Sequence, residues 1–242
     1  IWIMRQAGRY LEEYRQIRAT QTDFISFCLN PEKASTGTLQ PITRFGFDAA
    51  IRFSDILMVP WALQRNVRFK PNVGPLLDPM QSPKAIEQSL IDDLPQKLAP
   101  VGEALRLTKS NMPAETALIG FAGAPWTIMT YMAEGGSSRD FAITREWAWK
   151  YPKQVDALLG SLIESTISFL SLQASSGADA LMLFDSWASA VPAAQRDWLV
   201  TRPARLIIEG LRKNGYKQPV IGFPKGIGEG LINYVEQSGV DA

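Results

Sequence analysis

The chain has 242 residues, 46% of them hydrophobic, and 25 Lys+Arg stand against 24 Asp+Glu. That length suits one large domain or two small ones, with ample apolar material for a core. The near-zero balance of charge argues against a general nucleic-acid or membrane-surface binder, and no apolar run reads as long enough to span a bilayer. Cys28 is the single cysteine and histidine is absent. There is therefore no disulfide framework, no cysteine zinc cage, no Ser-His-Asp triad and no histidine base or metal ligand in this sequence. A lone cysteine fits a reducing, cytoplasmic compartment.

The chain opens at Ile1 directly into a dense motif, Met4-Arg5-Gln6-Ala7-Gly8-Arg9-Tyr10, followed by a charged run from Glu12 to Arg18. If the opening stretch is helical, Arg5 and Arg9 share a face. Residues 22–45 read as two helical pieces, with Asp23 near the first cap and Asn30-Pro31 starting the second. Pro41 is expected to kink or end that second piece. Residues 49–54 read as a buried strand on which Ile51, Phe53 and Asp55 share one face, with the carboxylate at the C-terminal tip. Asp55 as a plain turn or cap residue is the competing reading.

Val67-Arg68-Phe69 and Pro75-Leu76-Leu77, with Asn72-Val73-Gly74 between, suggest a hairpin. Residues 95–109 read as a helix with Leu98, Val101 and Leu105 on its stripe. Residues 117–122 form a second strand, running into the turn Gly123-Ala124-Pro125-Trp126-Thr127. Ser137 or Ser138 can cap the helix that carries Trp147 and Trp149. Pro152 opens a long amphipathic helix that Gly177 ends. Residues 180–184 form the third strand, Pro192 starts a helix to about Lys213, and residues 219–223 form the fourth strand before a last helix ending near Gly239. Gly239-Val240-Asp241-Ala242 reads like the lead-in to a fifth strand.

Apolar strands alternating with helices predict a parallel sheet covered on both faces. The expected fold is α/β, a (β/α)8 barrel truncated to roughly its first half, as a single domain over residues 1–242 that is incomplete at both ends. In such folds the C-terminal strand tips hold ligands. The tips here carry Asp55, the 123–127 turn, Asp185-Ser186 and Lys225-Gly226. Phe53, Phe121, Phe184 and Phe223 recur one or two residues before them. One such ring is usually core, but repetition on four strands suits a large, flat, apolar ligand. Two guanidinium groups such as Arg5 and Arg9 suit carboxylates or phosphates, unless they are merely a solvated basic face.

Five ordered motifs carry a resemblance over essentially the whole chain. Residues 4–10, Phe53-Ser54-Asp55-Ile56-Leu57, the stretch 120–127 continuing to Ser138, Phe184-Asp185-Ser186-Trp187-Ala188 and Gly222-Phe223-Pro224-Lys225-Gly226 resemble the signatures of uroporphyrinogen decarboxylase. The resemblance implies a barrel enzyme, usually a homodimer, that works without metal or organic cofactor. Its reaction takes the four acetates of uroporphyrinogen III to methyl groups, giving coproporphyrinogen III in heme and chlorophyll biosynthesis. It also implies that Asp55, Arg5, Arg9 and Tyr131 are catalytic, and that Gln6, Ala7, Phe53, Ser54, Phe184 and Ser186 bind substrate. No metal ligand, nucleic acid or membrane enters this picture. Two departures are noted: the family carries a histidine near its C-terminal end that this sequence lacks, and Arg52 stands where an apolar residue is usual. Arg52 is expected to snorkel between helices. The competing readings are a zinc-dependent corrinoid methyltransferase of the same superfamily and a non-catalytic tetrapyrrole-binding fragment.

Overall fold

The computed structural model describes residues 1–70 and 73–242. Its strands are β1 (Ala49–Ile51), β2 (Arg68–Lys70), β3 (Gly74–Leu76), β4 (Ala117–Gly123), β5 (Ala180–Asp185) and β6 (Val220–Pro224). Strands β1, β4, β5 and β6 lie side by side in that order, all parallel, while β2 and β3 form a separate antiparallel hairpin. The expected turn residue Asn72 lies outside the described residues. After β6 the chain returns along its edge: Gly222 N–H donates to Ala242 O at 2.8 Å and Asp241 N–H to Val220 O at 2.9 Å. The last residues, where the sequence suggests the lead-in to a fifth strand, thus run beside β6 through two backbone hydrogen bonds without forming an assigned strand.

Alternation along the strands separates two faces. Ala49, Ile119, Phe121 and Met182, with Ile51, Phe184, Ile221 and Phe223, pack together on the inner face. Ala50, Leu118, Ala122, Leu181, Leu183 and Val220 point outward into the main core beneath the helices. This is an open segment of a β/α barrel with both faces in use.

The helices begin with α1 (Glu12–Ala19), α2 (Phe24–Cys28) and α3 (Pro31–Phe45). Asp23 and Asn30 cap the latter two by accepting from Ser26 N–H and Lys33 N–H at 2.8 and 3.0 Å. Pro41 does not end α3. The proline forfeits one backbone bond, but caps at both ends and packing on a later helix, α7, hold the rod together. Next come α4 (Met58–Ala62), α5 (Gln88–Asp92), α6 (Leu94–Lys97), α7 (Ala99–Asn111), α8 (Pro125–Glu134), α9 (Ala142–Lys150) and α10 (Pro152–Ser175). The helix expected over 95–109 is therefore divided into α6 and α7 at Leu98. Ser138 Oγ accepts from Phe141 N–H at 3.0 Å, stopping the turn ahead of α9.

Helix α10 corrects one expectation. By length and composition it is apolar enough to cross a membrane, yet its Leu158, Leu162, Phe169 and Leu170 are fully buried in the protein core. The helix expected from Pro192 is also interrupted. Two 3₁₀ turns and a π segment over Asp197–Thr201 precede α11 (Arg202–Lys213). Pro203, second in α11, has no N–H for the carbonyl four residues back, and a widened turn absorbs the loss. The last helix is α12 (Gly230–Ser238), closed by Gly239 at φ +77°.

Strand β1 ends three residues earlier than the sequence suggests. Beyond Ile51 the backbone turns: Arg52 N–H still donates to Ile119 O at 3.0 Å, but Phe53 N–H goes to Thr38 Oγ1 on α3 at 2.9 Å. Alternation is lost there, so Phe53 leaves the inner face and packs with Tyr14, Phe24 and Phe27 at ring separations of 4.5–5.6 Å. Arg52 does not snorkel. It is 2% exposed, donates Nη2 to Cys28 O at 3.1 Å, and leaves Nε and Nη1 without partners. Burial pushes its pKa down to about 10. A buried guanidinium with no acid beside it is a net cost to the fold. Arg52→Met should therefore raise stability, by about 1–3 kcal/mol, in urea titrations that leave the m-value unchanged. A loss of stability would show that the Cys28 bond and the packing of the stem outweigh desolvation.

Candidate active site

The C-terminal tips of β1, β4 and β5 open into a cleft of about 980 Å³. Its walls come from four places. The 4–10 loop supplies Arg5, Gln6, Ala7 and Arg9, and the segment after β1 supplies Phe53, Ser54 and Asp55. The inner face supplies Ile51, Phe121 and Phe184, with Ser186 at the tip of β5. Tyr14, Arg18, Phe24, Phe69 and Lys70 close the far side from α1, α2 and β2.

The 4–10 loop is not helical, so helical spacing does not explain why Arg5 and Arg9 meet the same cleft. Gln6 does. Its Nε2 donates to Ala49 O at 2.7 Å and its Oε1 accepts from Ile51 N–H at 3.0 Å, so one side-chain amide imitates a neighbouring strand on β1. Tyr10 donates its hydroxyl to Gln6 O, and Leu11 N–H donates to Gly8 O at 3.0 Å, closing the loop. Arg5 and Arg9 are both exposed, and neither guanidinium takes part in an ion pair among the described residues. Two uncommitted cations thus border the cleft. The side-chain amide of Gln6 is engaged with β1 and its carbonyl with Tyr10, which leaves its backbone N–H for a ligand.

Asp55 makes an Asx turn: Oδ1 accepts from Leu57 N–H at 2.8 Å ahead of α4. Both sequence readings of this residue therefore meet in one geometry. The turn uses a single oxygen, and Oδ2 takes no protein hydrogen bond among the described residues. Asp55 is half-buried by exposed area, but its carboxyl group sits deep enough for desolvation to dominate. Burial pushes its pKa up to about 6, against the lowering effect of the Leu57 N–H. Beside it Ser54 Oγ is buried without a partner.

The inner aromatic residues form a row. Phe121 meets Phe184 edge-on at 5.3 Å, and Phe184 meets Phe223 at 5.8 Å. Phe121 and Phe184 reach the cleft and Phe223 does not. Lys225, at the next tip, also stays outside, its N–H donating to Asp185 O at 3.0 Å. Tyr131 is not among the lining residues. It is 7% exposed on α8, with its ring 6.3 Å from that of Trp187. Burial raises its pKa, the Trp187 indole lowers it, and the charge of Asp55 raises it further, which places the phenol within electrostatic reach of the cleft floor. Trp187 Nε1 nevertheless makes no hydrogen bond of ordinary geometry and is buried without a partner.

Arg18, Lys70, Tyr14, Phe24 and Phe69 escape a reading of the sequence. They lie in a charged helix, a short helix and a hairpin, with no local pattern that points to a shared cavity. Among the described residues, no three of His, Cys, Asp or Glu converge as a metal site.

A family model described as Uroporphyrinogen decarboxylase (URO-D) matches residues 1–242. Uroporphyrinogen decarboxylase of Maricaulis maris is 47% identical over 242 residues, covering 100% of this chain and 70% of the relative. That of Caulobacter vibrioides is 48% identical over 240 residues, covering 99% and 68%. Among solved structures, a methyltransferase from Methanosarcina mazei superposes with a TM-score of 0.69 at 14% identity, over 86% of this chain and 60% of that one, which speaks for the barrel fold alone. With a whole-chain family match and relatives near half identical, the chain belongs to the uroporphyrinogen decarboxylase family.

Proposed function

We propose that the intact protein decarboxylates uroporphyrinogen, converting its four acetate side chains to methyl groups and yielding coproporphyrinogen. The observation that carries this reading is Asp55, a desolvated carboxylate with one oxygen uncommitted. It shares a cleft with aromatic rings and with Arg5 and Arg9, whose guanidinium groups form no ion pair among the described residues.

Loss of carbon dioxide from a pyrrole acetate leaves an electron pair that needs a sink. A proton added to a ring carbon makes the pyrrole cationic. The carbon–carbon bond then breaks, its electrons enter the ring and carbon dioxide departs. A second proton adds to the exocyclic carbon to complete the methyl group, and the ring carbon releases the first. Each cycle thus replaces one carbon dioxide by one proton, with the substrate as its own electron sink.

In this scheme Asp55 accepts the pyrrole N–H groups and opposes the positive charge as it forms. Arg5 and Arg9 hold carboxylates of the polyanionic substrate and order the protons around them. Phe53 and Phe184 press on the ring system, Ser54 and Ser186 offer hydroxyl groups to its side chains, and Tyr131, buried behind the lining against Trp187, offers its own once the substrate displaces that ring. Gln6 and Ala7 contribute backbone. A homodimer of the complete barrel, working in the cytoplasm without metal, nucleic acid or membrane, completes the proposal.

The test is anaerobic incubation with uroporphyrinogen and chromatography of the oxidised products. Stepwise loss of carboxylates without added metal is expected. Activity abolished by a chelator and restored by zinc would favour the methyltransferase type of chemistry instead. In the same assay Asp55→Asn should lower turnover by about 10²-fold or more, because it removes the charge and points an N–H at other donors, whereas Asp55→Glu should keep part of the activity. Parent-like turnover in Asp55→Asn would leave Asp55 a structural turn residue.

Asp55 also predicts a pH dependence. Its carboxylate must be ionised in the free enzyme, so kcat/KM should fall as pH drops through about 6. Its folded-state pKa lies above the ordinary aspartate value of 3.8, so between those two values the folded protein holds more protons than the unfolded chain. This residue's contribution to stability therefore declines as pH rises through that window. Asp55→Asn should gain melting temperature over the parent at pH 8 but not at pH 4. An equal difference at both would remove the desolvation argument.

Arg5→Ala and Arg9→Ala should each weaken binding of the substrate by about tenfold or more, with melting temperature nearly unchanged. Parent-like binding together with a lowered melting temperature would make them a structural basic face.

A further inference from the structure

Asp185 and Thr127 are buried polar residues for which the scheme above has no use. Asp185 is 3% exposed and Thr127 fully buried. Strand alternation turns Asp185 away from the inner face, so it cannot meet a ligand in the cleft. Its Oδ1 instead accepts from Thr127 Oγ1 at 2.6 Å. Thr127 stands in the first turn of α8, whose N-cap residue Ala124 supplies no side-chain bond. The carboxylate of β5 thus lies at the uncapped, electropositive end of a neighbouring helix.

Thr127 has a single hydroxyl proton, which it gives to Asp185. Its oxygen in turn accepts from Trp187 N–H at 3.1 Å. The next face of α8 takes the other backbone group of the same residue: Trp126 Nε1 donates to Trp187 O at 3.0 Å. Both backbone polar groups of Trp187 are therefore gripped by side chains of α8. Ser186 lies between the two held residues and lines the cleft. Tyr131 lies one turn beyond Thr127 on the same face of α8, against the Trp187 ring.

We propose that Thr127 and Asp185 are positioning residues. Together with Trp126 they clamp the tip of β5 to the start of α8, so that the hydroxyl groups of Ser186 and Tyr131 are held at one separation and act on the substrate as a unit. The clamp acts through those two residues and touches no substrate itself. This inference rests on the proposed decarboxylation, in which Ser186 and Tyr131 meet the substrate side chains.

The experiment is a double-mutant cycle in the intact protein, read as kcat/KM for uroporphyrinogen beside melting temperature. Thr127→Val should lower kcat/KM by about tenfold or more, and Thr127→Ser should restore it. In Tyr131→Phe and Ser186→Ala backgrounds the same Thr127→Val change should cost clearly less, since the groups it positions are gone. Fully additive losses in both backgrounds, or a failure of serine to rescue, would overturn the clamp. Should Thr127→Val not fold, Trp126→Phe removes the bond to the Trp187 carbonyl together with part of a buried indole, and is carried through the same cycle, where the coupling to Tyr131 and Ser186, not the single loss, is the criterion. A parent that turns over while the cycle is additive refutes the clamp alone. A parent that never decarboxylates refutes the functional reading beneath it.

Discussion

One side-chain amide holds the site together. Strand β1 has only three residues and a sheet partner on one side, and its other edge would be left with unpaired backbone groups. Gln6 supplies the missing ladder with two hydrogen bonds, and Ile1 O accepts from Asp48 N–H one step earlier. The same bonds that satisfy the strand fix the 4–10 loop over its C-terminal end. Arg5 and Arg9 come to the cleft because the residue between them is anchored. Without that amide, two long, solvated side chains on an irregular segment would have no reason to stay beside Asp55.

Three ionisable groups lie out of water in this small region, and their partners distinguish their roles. Asp185, pushed up to about 7 by burial, spends its carboxylate on Thr127 and so belongs to the scaffold. Asp55 is desolvated to a similar degree and also commits one oxygen, but to a backbone N–H of its own turn rather than to a neighbouring element, and it lines the cleft where Asp185 does not. Arg52 is desolvated with two nitrogens unpartnered among the described residues, bonds Cys28 O, and borders the cleft beside Phe53. A shifted pKa alone would not separate these cases. The hydrogen-bond partners do.

The sheet explains why one wall of the cleft is apolar and flat. Parallel strands in register bring alternate residues of neighbouring strands into rows: Phe184 and Phe223 are register partners across β5 and β6, and Phe121, whose own partner is Met182, meets Phe184 diagonally, both contacts being edge-to-face. Close packing behind the row depends on absent side chains. A Cβ on Gly123 would lie 2.5 Å from the Ile128 Cδ1 methyl and 3.1 Å from Ile56 Cβ, so any side chain there would make Ile128 repack where β4 meets α8. The rigidity of that junction is what the Asp185–Thr127 bond then exploits.

Much of this architecture was legible in the residues taken alone. Apolar runs, prolines at helix starts, glycines at helix ends and the caps at Asp23 and Asn30 are local signals, and local hydrogen bonding and periodicity suffice to read them. The strand tips and their motifs likewise pointed to Asp55, the arginines and the phenylalanines, since the order of motifs survives in one dimension. Periodicity assigns a face only while the element lasts, however. Once β1 ended at Ile51, nothing in the sequence could say that Phe53 turns to the helices, or that Arg52 is sealed beneath α2. Nor could spacing place Arg18, Lys70 and Phe69 on one cleft, keep Lys225 and Phe223 out of it, or set Tyr131 behind Trp187. Those positions depend on how loops return across a sheet and on which buried polar groups find partners, and only the folded chain brings such groups within reach of one another.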